Sequence, residues 1–345
     1  MEPAATRFVD EALAAHRRQV ATALAGYLPS REPRRWLYDL MASYPARLGK
    51  GIRSSLCLAA CRAFGGATEE ALPSAAAIEL LHNAFMVHDD IEDGSLSRRG
   101  LPTLHQEHGL ALAINAGDGL AVIGLSPLRD NLSLLGTEMA GRVADEFHHL
   151  LNRTIEGQAI ELGWRAENVL DLTPGDYLHM VLLKTCSYST IFPLRIGALI
   201  GSWGQADLDA LTRFGFYLGA AFQIRDDLLN LEAASAEYGK ESWGDLYEGK
   251  RTLMIIHLLN RVEGEEQAFL HRFLTSERPA RLEADARKVV RLMEEHGSID
   301  FAREFSEGIA EAAREAFLPA FAGLPPSDDL TFIKELVPYM LERRF

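Results

Sequence analysis

Apolar residues return every three or four positions along this chain and almost nowhere at every second one. That spacing lines one face of an α-helix, so the sequence predicts an all-α protein. Helical patterns run over roughly 6–27, 32–46, 51–64, 69–93, 116–150, 153–163, 174–201, 205–232, 250–260, 264–274, 280–295, 298–317 and 328–342. Helix breakers separate them, among them Gly65-Gly66, Gly94, Pro174-Gly175, Gly201, Gly204, Gly239 and Leu324-Pro325-Pro326. No linker is long enough to divide the chain into domains, and no repeat of fixed period appears. Residues 1–345 are therefore expected to form one large helical domain.

Composition adds what the pattern alone leaves open. Hydrophobic residues at 48% suffice for a large core, and a net charge of −14 argues against a nucleic-acid partner or a broad anionic membrane contact. No uninterrupted apolar run approaches membrane-spanning length, and the charged N-terminus lacks a signal-peptide core, so a cytoplasmic location without stable membrane insertion is expected. Cys57, Cys61 and Cys186 lie in apolar helical segments without zinc-type spacing and read as core thiols.

The stretch VHDDIEDGSLSRRG, Val87 to Gly100, breaks this ordinary picture. Asp89 and Asp93 share a helix face one turn apart and repel. Gly94 ends the helix, so these carboxylates, with Asp90 and Glu92, stand at the negative end of its macrodipole. Something cationic should be bound there. A second stretch has the same form: FMVHDDIED (Phe85 to Asp93) and FQIRDDLLN (Phe222 to Asn230) both close strongly apolar helices. Two such helices can face each other across a bundle cavity.

Asp89, Asp93, Asp226, Asp227 and Asn230 offer only oxygen, which suits Mg²⁺ or Ca²⁺ and not zinc or copper. A di-iron bundle would need Glu and E-x-x-H motifs that do not accompany these clusters, and the plain alternative is a solvated acidic face. Lys50 and Arg53 in LGKGIRSSL, Arg98 and Arg99, Lys184 with Thr185 in LLKTCSYS, and Lys240 and Lys250 in YGKESWGDLYEGKRT interleave with the carboxylates. Together they read as two diphosphate sites, one held through metal and one directly.

From about Leu48 to Leu258 these landmarks, in order, resemble the trans-isoprenyl diphosphate synthase (polyprenyl synthetase) family, and the phrasing is nearest the geranylgeranyl diphosphate synthases. GKGIR resembles a GGKxxR block, although Leu48-Gly49 replaces two glycines. LHNAFMVHDDIEDGSLSRRGLPTLH and FQIRDDLLN resemble the two aspartate-rich motifs. KESWGDLYEGKRT resembles the loop that follows them, with Met254 beyond it where the family often has Pro. The resemblance implies an all-α bundle of the isoprenoid synthase type around a central cavity, usually a homodimer, with Mg²⁺ as cofactor. Its reaction would be 1′-4 condensation of isopentenyl diphosphate with an allylic prenyl diphosphate.

Carried over, Asp89, Asp93 and Asp226 would be the principal metal ligands, with Asp90, Asp227 and Asn230 nearby. Arg98, Lys184 and Lys240 would contact the allylic diphosphate, with Lys250 closing over it. Lys50, Arg53, His82 and Arg99 would hold isopentenyl diphosphate, and Thr185 and Gln223 would line the reacting centre; His88 stays structural. Ala84 and Phe85, one turn before Asp89, would set product length, and this pair of one small and one bulky residue favours geranylgeranyl over farnesyl diphosphate. A terpene cyclase would not need the isopentenyl group of residues, and a silent partner subunit would have eroded aspartates; both sets are intact.

Overall fold

The computed structural model describes residues 3–47, 49–232 and 243–342. Lys240, assigned above to the allylic diphosphate, lies outside them. The described chain is almost wholly helical, as its periodicity requires.

Helices α1 (Pro3–Tyr27), α2 (Asp39–Ala46) and α3 (Ile52–Ala63) lead to α4 (Thr68–Glu92), which carries the first acidic motif. A two-stranded hairpin, β1 (Ser97–Arg98) with β2 (Leu101–Pro102), follows. Its two turn residues, Arg99 and Gly100, both have positive φ (54° and 74°), the geometry that matches the twist of paired strands. Then come α5 (Leu104–His108), α6 (Leu110–Gly124) and the 41-residue α7 (Ser126–Ala166), kinked where Gly136 leaves helical φ/ψ. The sequence pattern placed a helix break near 151 and none near 125; the structure reverses this. Gly136 and the junction at Leu125 divide the chain, and helix runs unbroken through Asn152.

Beyond α8 (Pro174–Val181), a ten-residue π-helical segment, Leu182–Ile191, runs into α9 (Phe192–Gly201). Wide π turns recur at functional sites, and this one carries Lys184 and Thr185. The second acidic motif ends α10 (Leu208–Glu232). A short helix, α11 (Gly244–Glu248), precedes α12 (Leu253–Leu259), and α13 (Gly264–Thr275), α14 (Glu283–Glu295), α15 (Ser298–Ala320) and α16 (Asp328–Glu342) complete the bundle.

Packing sets the ends of α4 and α10 into one space. α4 lies against α3, α6 and α7, α10 lies against α15, and the π segment is clamped between α7 and α10. The clamp depends on Gly157 of α7, where a Cβ would stand 2.1 Å from the backbone nitrogen of Lys184. Cys57, Cys61 and Cys186 are buried and free, as expected, and burial pushes the Cys61 thiol up to about 12.

One surface is less ordinary. Leu110, Ile114, Val122, Leu125, Leu132 and Leu134, on α6 and the start of α7, are exposed. The run Leu110–Ala166 holds an 18-residue window of mean hydropathy 1.4 that is 33% buried, long and apolar enough by length and composition to cross a membrane. The sequence expectation, drawn from uninterrupted apolar runs, missed it. The junction at Leu125 and the kink at Gly136 break the run, and its inner side packs on α4.

Gly157→Ala should lower stability by about 1–3 kcal/mol through overpacking, read from the urea midpoint. An unchanged midpoint would mean that α7 and the Lys184 segment separate freely.

Candidate active site

The ends of α4 and α10 border a cavity of about 530 Å³. Its polar end carries Asp89 and Arg98 from the first motif, Lys184, Thr185, and Gln223, Asp226 and Asp227 from α10. Its apolar part is walled by Ala84, Phe85, Ala121, Ile155, Leu162 and Met180. A smaller pocket adjoins it, lined by Asp89, Asp93, Ser95, Asn230, Glu248 and Lys250 among others.

The positive charge that the end of α4 demands is supplied here by the protein. Lys184 reaches Asp89 at 3.2 Å and Glu161 at 2.9 Å. Lys250 reaches Asp93 and Glu248, each at 2.8 Å. Arg165 donates to the other oxygen of Asp93 at 2.7 Å. Burial works against the charge on Asp93, but Lys250, Lys184 and Arg165 outweigh it and hold its carboxyl below the ordinary value. Burial likewise opposes the ammonium of Lys184, yet Asp89 and Glu161 raise it above its ordinary value. Glu248, where burial outweighs its lysine partner, is pushed up to about 7.

Asp90 departs from the metal-ligand expectation. Adjacent helical residues point about 100° apart, so Asp90 turns away from the face shared by Asp89 and Asp93. Its side chain is 1% exposed; one oxygen accepts from Arg98 Nε at 2.8 Å and the other from the Tyr44 hydroxyl. It anchors Arg98, which also lies 3.4 Å from Asp89.

On α10 a chain of hydrogen bonds fixes the second motif. Thr185 donates to Gln223 at 2.9 Å, and Gln223 donates to Asp227 at 2.7 Å. Tyr177 donates to the other oxygen of Asp227 at 2.8 Å. Burial pushes Asp227 up to about 8. Asp226, one position earlier, lines the same cavity as Asp89. Asn230, expected among the metal residues, uses its side-chain oxygen to accept from the Asp245 amide at 3.1 Å, which ties α11 to α10.

The second basic group stands on different terms. Arg53 donates to the Tyr188 hydroxyl at 2.8 Å and lies over its ring, and Arg99 packs on Gly49 and meets Met86 sulfur at 3.7 Å. Among the described residues neither has a carboxylate at ion-pair distance. Lys50 donates to Tyr339 at 3.4 Å. Burial, with Arg98, Arg53 and Arg47 as neighbours, lowers Arg99 against the pull of Glu79. His82 is buried beside Arg53 and Arg99, which with burial hold it well below its ordinary value, so its imidazole is neutral. Among the described residues its Nδ1 has no hydrogen-bond partner.

Several site residues escaped the sequence reading. Gln158, Glu161 and Arg165 form one face of α7, and Gln158 donates to both Asp89, at 3.5 Å, and Glu92. Their signal was a polar i, i+3, i+7 series in EGQAIELGWR. Tyr177, Tyr188, Asp245 and Glu248 also line the two pockets. His88, read as structural, lines the cavity and lies 3.3 Å from Asp118.

Among the described residues no three Asp, Glu, His or Cys side chains converge closely enough to hold a metal by themselves. Asp89 and Asp226, from facing helices, still fit Mg²⁺, which takes one or two carboxylates and completes its shell with water and substrate phosphate. Lys184 and Arg98 meet Asp89 meanwhile, and Lys250 meets Asp93.

Known proteins match this arrangement. A geranylfarnesyl diphosphate synthase of Natronomonas pharaonis is 31% identical over 98% of each chain. A geranylgeranyl diphosphate synthase of Saccharolobus solfataricus is 32% identical, covering 77% of this chain and 80% of its own. The crystal structure of a Caulobacter crescentus polyprenyl synthase, complexed with calcium and isoprenyl diphosphate, superposes with a TM-score of 0.83 at 26% identity, over 99% of this chain and 97% of its own. With the polyprenyl synthetase family model matching residues 34–293, the chain belongs to the polyprenyl synthetase family.

Proposed function

We propose that this protein is a Mg²⁺-dependent trans-prenyltransferase that condenses isopentenyl diphosphate with an allylic prenyl diphosphate and releases geranylgeranyl diphosphate. One observation carries the reading: a single cavity of about 530 Å³ joins Asp89, Asp226 and Asp227, the cations Arg98, Lys184 and Lys250, and Arg53 with His82 of the second basic group to an apolar wall, while Lys50 and Arg99 stand outside its lining. The calcium and isoprenyl diphosphate bound by the Caulobacter crescentus relative support a divalent cation, and the oxygen-only donors favour Mg²⁺.

Ionisation of an allylic C–O bond expels diphosphate, and its new charge must be met as it forms. Asp89 and Asp226 would hold Mg²⁺, joined by Asp93 once Lys250 leaves it, and the ion would supply Lewis acidity there. Arg98, Lys184 and Lys250, already gathered around those aspartates, bind the leaving diphosphate, with Lys240 assigned to the same group by resemblance. Arg53 and Arg99, which lack carboxylate partners among the described residues, take the diphosphate of isopentenyl diphosphate together with Lys50 and neutral His82. Thr185 and Gln223 line the place where the alkene attacks. Asp227 holds Gln223 in orientation, and Asn230 holds the loop that carries Lys250. The apolar wall excludes water from the allylic cation. The departing diphosphate serves as base for the last proton, so no nucleophilic side chain is needed.

Ala84 is 1% exposed and adds no bulk, while the Phe85 ring stands edge-on to Tyr188 at 5.7 Å. Beyond them the wall continues to Ala121 and Ile155. This depth supports the twenty-carbon product over farnesyl diphosphate. Geranylfarnesyl diphosphate is the second reading, favoured by the Natronomonas pharaonis relative's match along the whole chain. The chain works as one domain in the cytoplasm, as a homodimer whose contact is the exposed apolar face of α6 and α7.

Incubating the protein with Mg²⁺, isopentenyl diphosphate and each allylic starter in turn should yield geranylgeranyl diphosphate; a cyclic hydrocarbon, or no product, would overturn the reading. Chelation should abolish turnover and added Mg²⁺ restore it. Asp89→Asn and Asp226→Asn should each lower kcat by about 10²–10³-fold. Ala84→Phe should shorten the product by at least one isoprene unit, seen by chromatography of the dephosphorylated alcohols.

A further inference from the structure

The C-terminal end of α4 has two needs. Its last carbonyls lack helical partners, and its negative pole coincides with Asp89 and Asp93. Arg165, from the last turn of α7, meets both. One of its nitrogens donates to Asp93 Oδ1 at 2.7 Å and the other to the Glu92 carbonyl at 3.2 Å. A guanidinium fork can serve a carboxylate and a carbonyl together, which an ammonium cannot do in the same fixed geometry. None of the motifs that carry the family resemblance contains Arg165.

The second oxygen of Asp93 goes to Lys250, and the two cations are held differently. Among the described residues Asp93 is the one ion-pair partner of Arg165, whose side chain is 15% exposed. Glu161 and Glu248 also act on its charge, but among the described residues neither stands at ion-pair distance, so withdrawing Arg165 from Asp93 would leave a largely buried guanidinium without a carboxylate contact, which is unfavourable. Lys250 also has Glu248 at 2.8 Å and Asp245 at 3.6 Å. It can leave Asp93 and remain neutralised. The supports differ as well: Arg165 stands on a 41-residue helix, Lys250 just after a five-residue one.

We propose that Arg165 is the permanent counter-ion that positions Asp93 for a divalent cation, and that Lys250 is the provisional one. The inference rests on the metal reading given under Proposed function. Arg165 keeps Oδ1 engaged whether or not metal is bound, so Asp93 offers a single oxygen of fixed direction. Lys250 cedes that oxygen, and its ammonium becomes available to the substrate diphosphate. A one-oxygen carboxylate suits Mg²⁺, whose octahedral shell is completed by water and phosphate.

Calorimetry with Mg²⁺ and inorganic diphosphate, each titrated with the other saturating, separates the two roles. Arg165→Gln should raise the Mg²⁺ concentration at half-saturation about tenfold or more and leave that for diphosphate little changed. Arg165→Lys should recover some of the loss, since it restores the charge without the fork. Lys250→Gln should weaken diphosphate and spare Mg²⁺. In turnover, Arg165→Gln should raise the Mg²⁺ requirement while the KM for isopentenyl diphosphate stays put. An unchanged Mg²⁺ half-saturation in Arg165→Gln overturns the proposal, as does an equal Mg²⁺ loss in Lys250→Gln. If Arg165→Gln fails to fold, full Mg²⁺ affinity in Arg165→Lys overturns it instead. A wild-type protein that binds neither probe and makes no product would bring down the prenyltransferase reading itself, whereas an active wild type with an indifferent Arg165 defeats this inference alone.

Discussion

Carboxylates crowded at the C-terminal end of α4 are the constraint around which the rest of the molecule is arranged. Asp93 has a side chain 1% exposed and sits near Asp89 at a negative helix pole. An uncompensated buried charge costs several kcal/mol. The fold answers by bringing in cations from four separate places: the hairpin gives Arg98, α7 gives Arg165, the π segment gives Lys184, and the stretch after α11 gives Lys250. Each of those elements is thereby tied to the end of one helix. The close approach at Gly157, which lets the π segment lie flat on α7, serves the same end by delivering Lys184 to Asp89 and Glu161.

The two basic groups are electrostatic opposites. Around Asp89 and Asp93 the cations are matched by carboxylates, so this half is near balance and can trade protein cations for a metal. Around Arg53 and Arg99 the contacts are an aromatic ring, a hydroxyl, a thioether and backbone. Glu79 offsets only part of the repulsion there, so a bound anion would relieve more of it, and a neutral His82 adds a hydrogen-bonding group without adding charge. Net charge alone, −14 for the chain, concealed a cationic pocket because the excess acid lies elsewhere.

Much of this was legible in the sequence. The 3.6-residue period gave the helices, and the matched DDxxD and DDxxN stretches gave two facing acidic ends. The reading failed where tertiary contact decides. The resemblance set Asp90 near the principal metal ligands, but one residue of rotation sends it to Tyr44 and Arg98. Gln158, Glu161 and Arg165 were not singled out, since only the packing of α7 on α4 and the π segment turns them inward. The hairpin at Ser97–Pro102 is too short to show alternation, and the helix over Gly244–Glu248 is shorter than any periodic signal. The break at Gly136 carried no more signal than the glycines that sit inside intact helices.

The hairpin turn carries a further consequence. Arg98 and Arg99 are neighbours in sequence, yet Arg98 faces Asp89 and Asp90 while Arg99 lies against Gly49 in the other basic group. One peptide unit, ~3.8 Å between Cα atoms, thus spans the boundary between the two halves of the site. Held in a positive-φ turn and paired through Ser97 to Pro102, that unit acts as a molecular caliper. The two guanidinium groups thus start from adjacent Cα atoms and are sent apart by their own contacts, Asp89 and Asp90 for Arg98 and Gly49 for Arg99, so the turn and those contacts together set how the two halves of the site face each other.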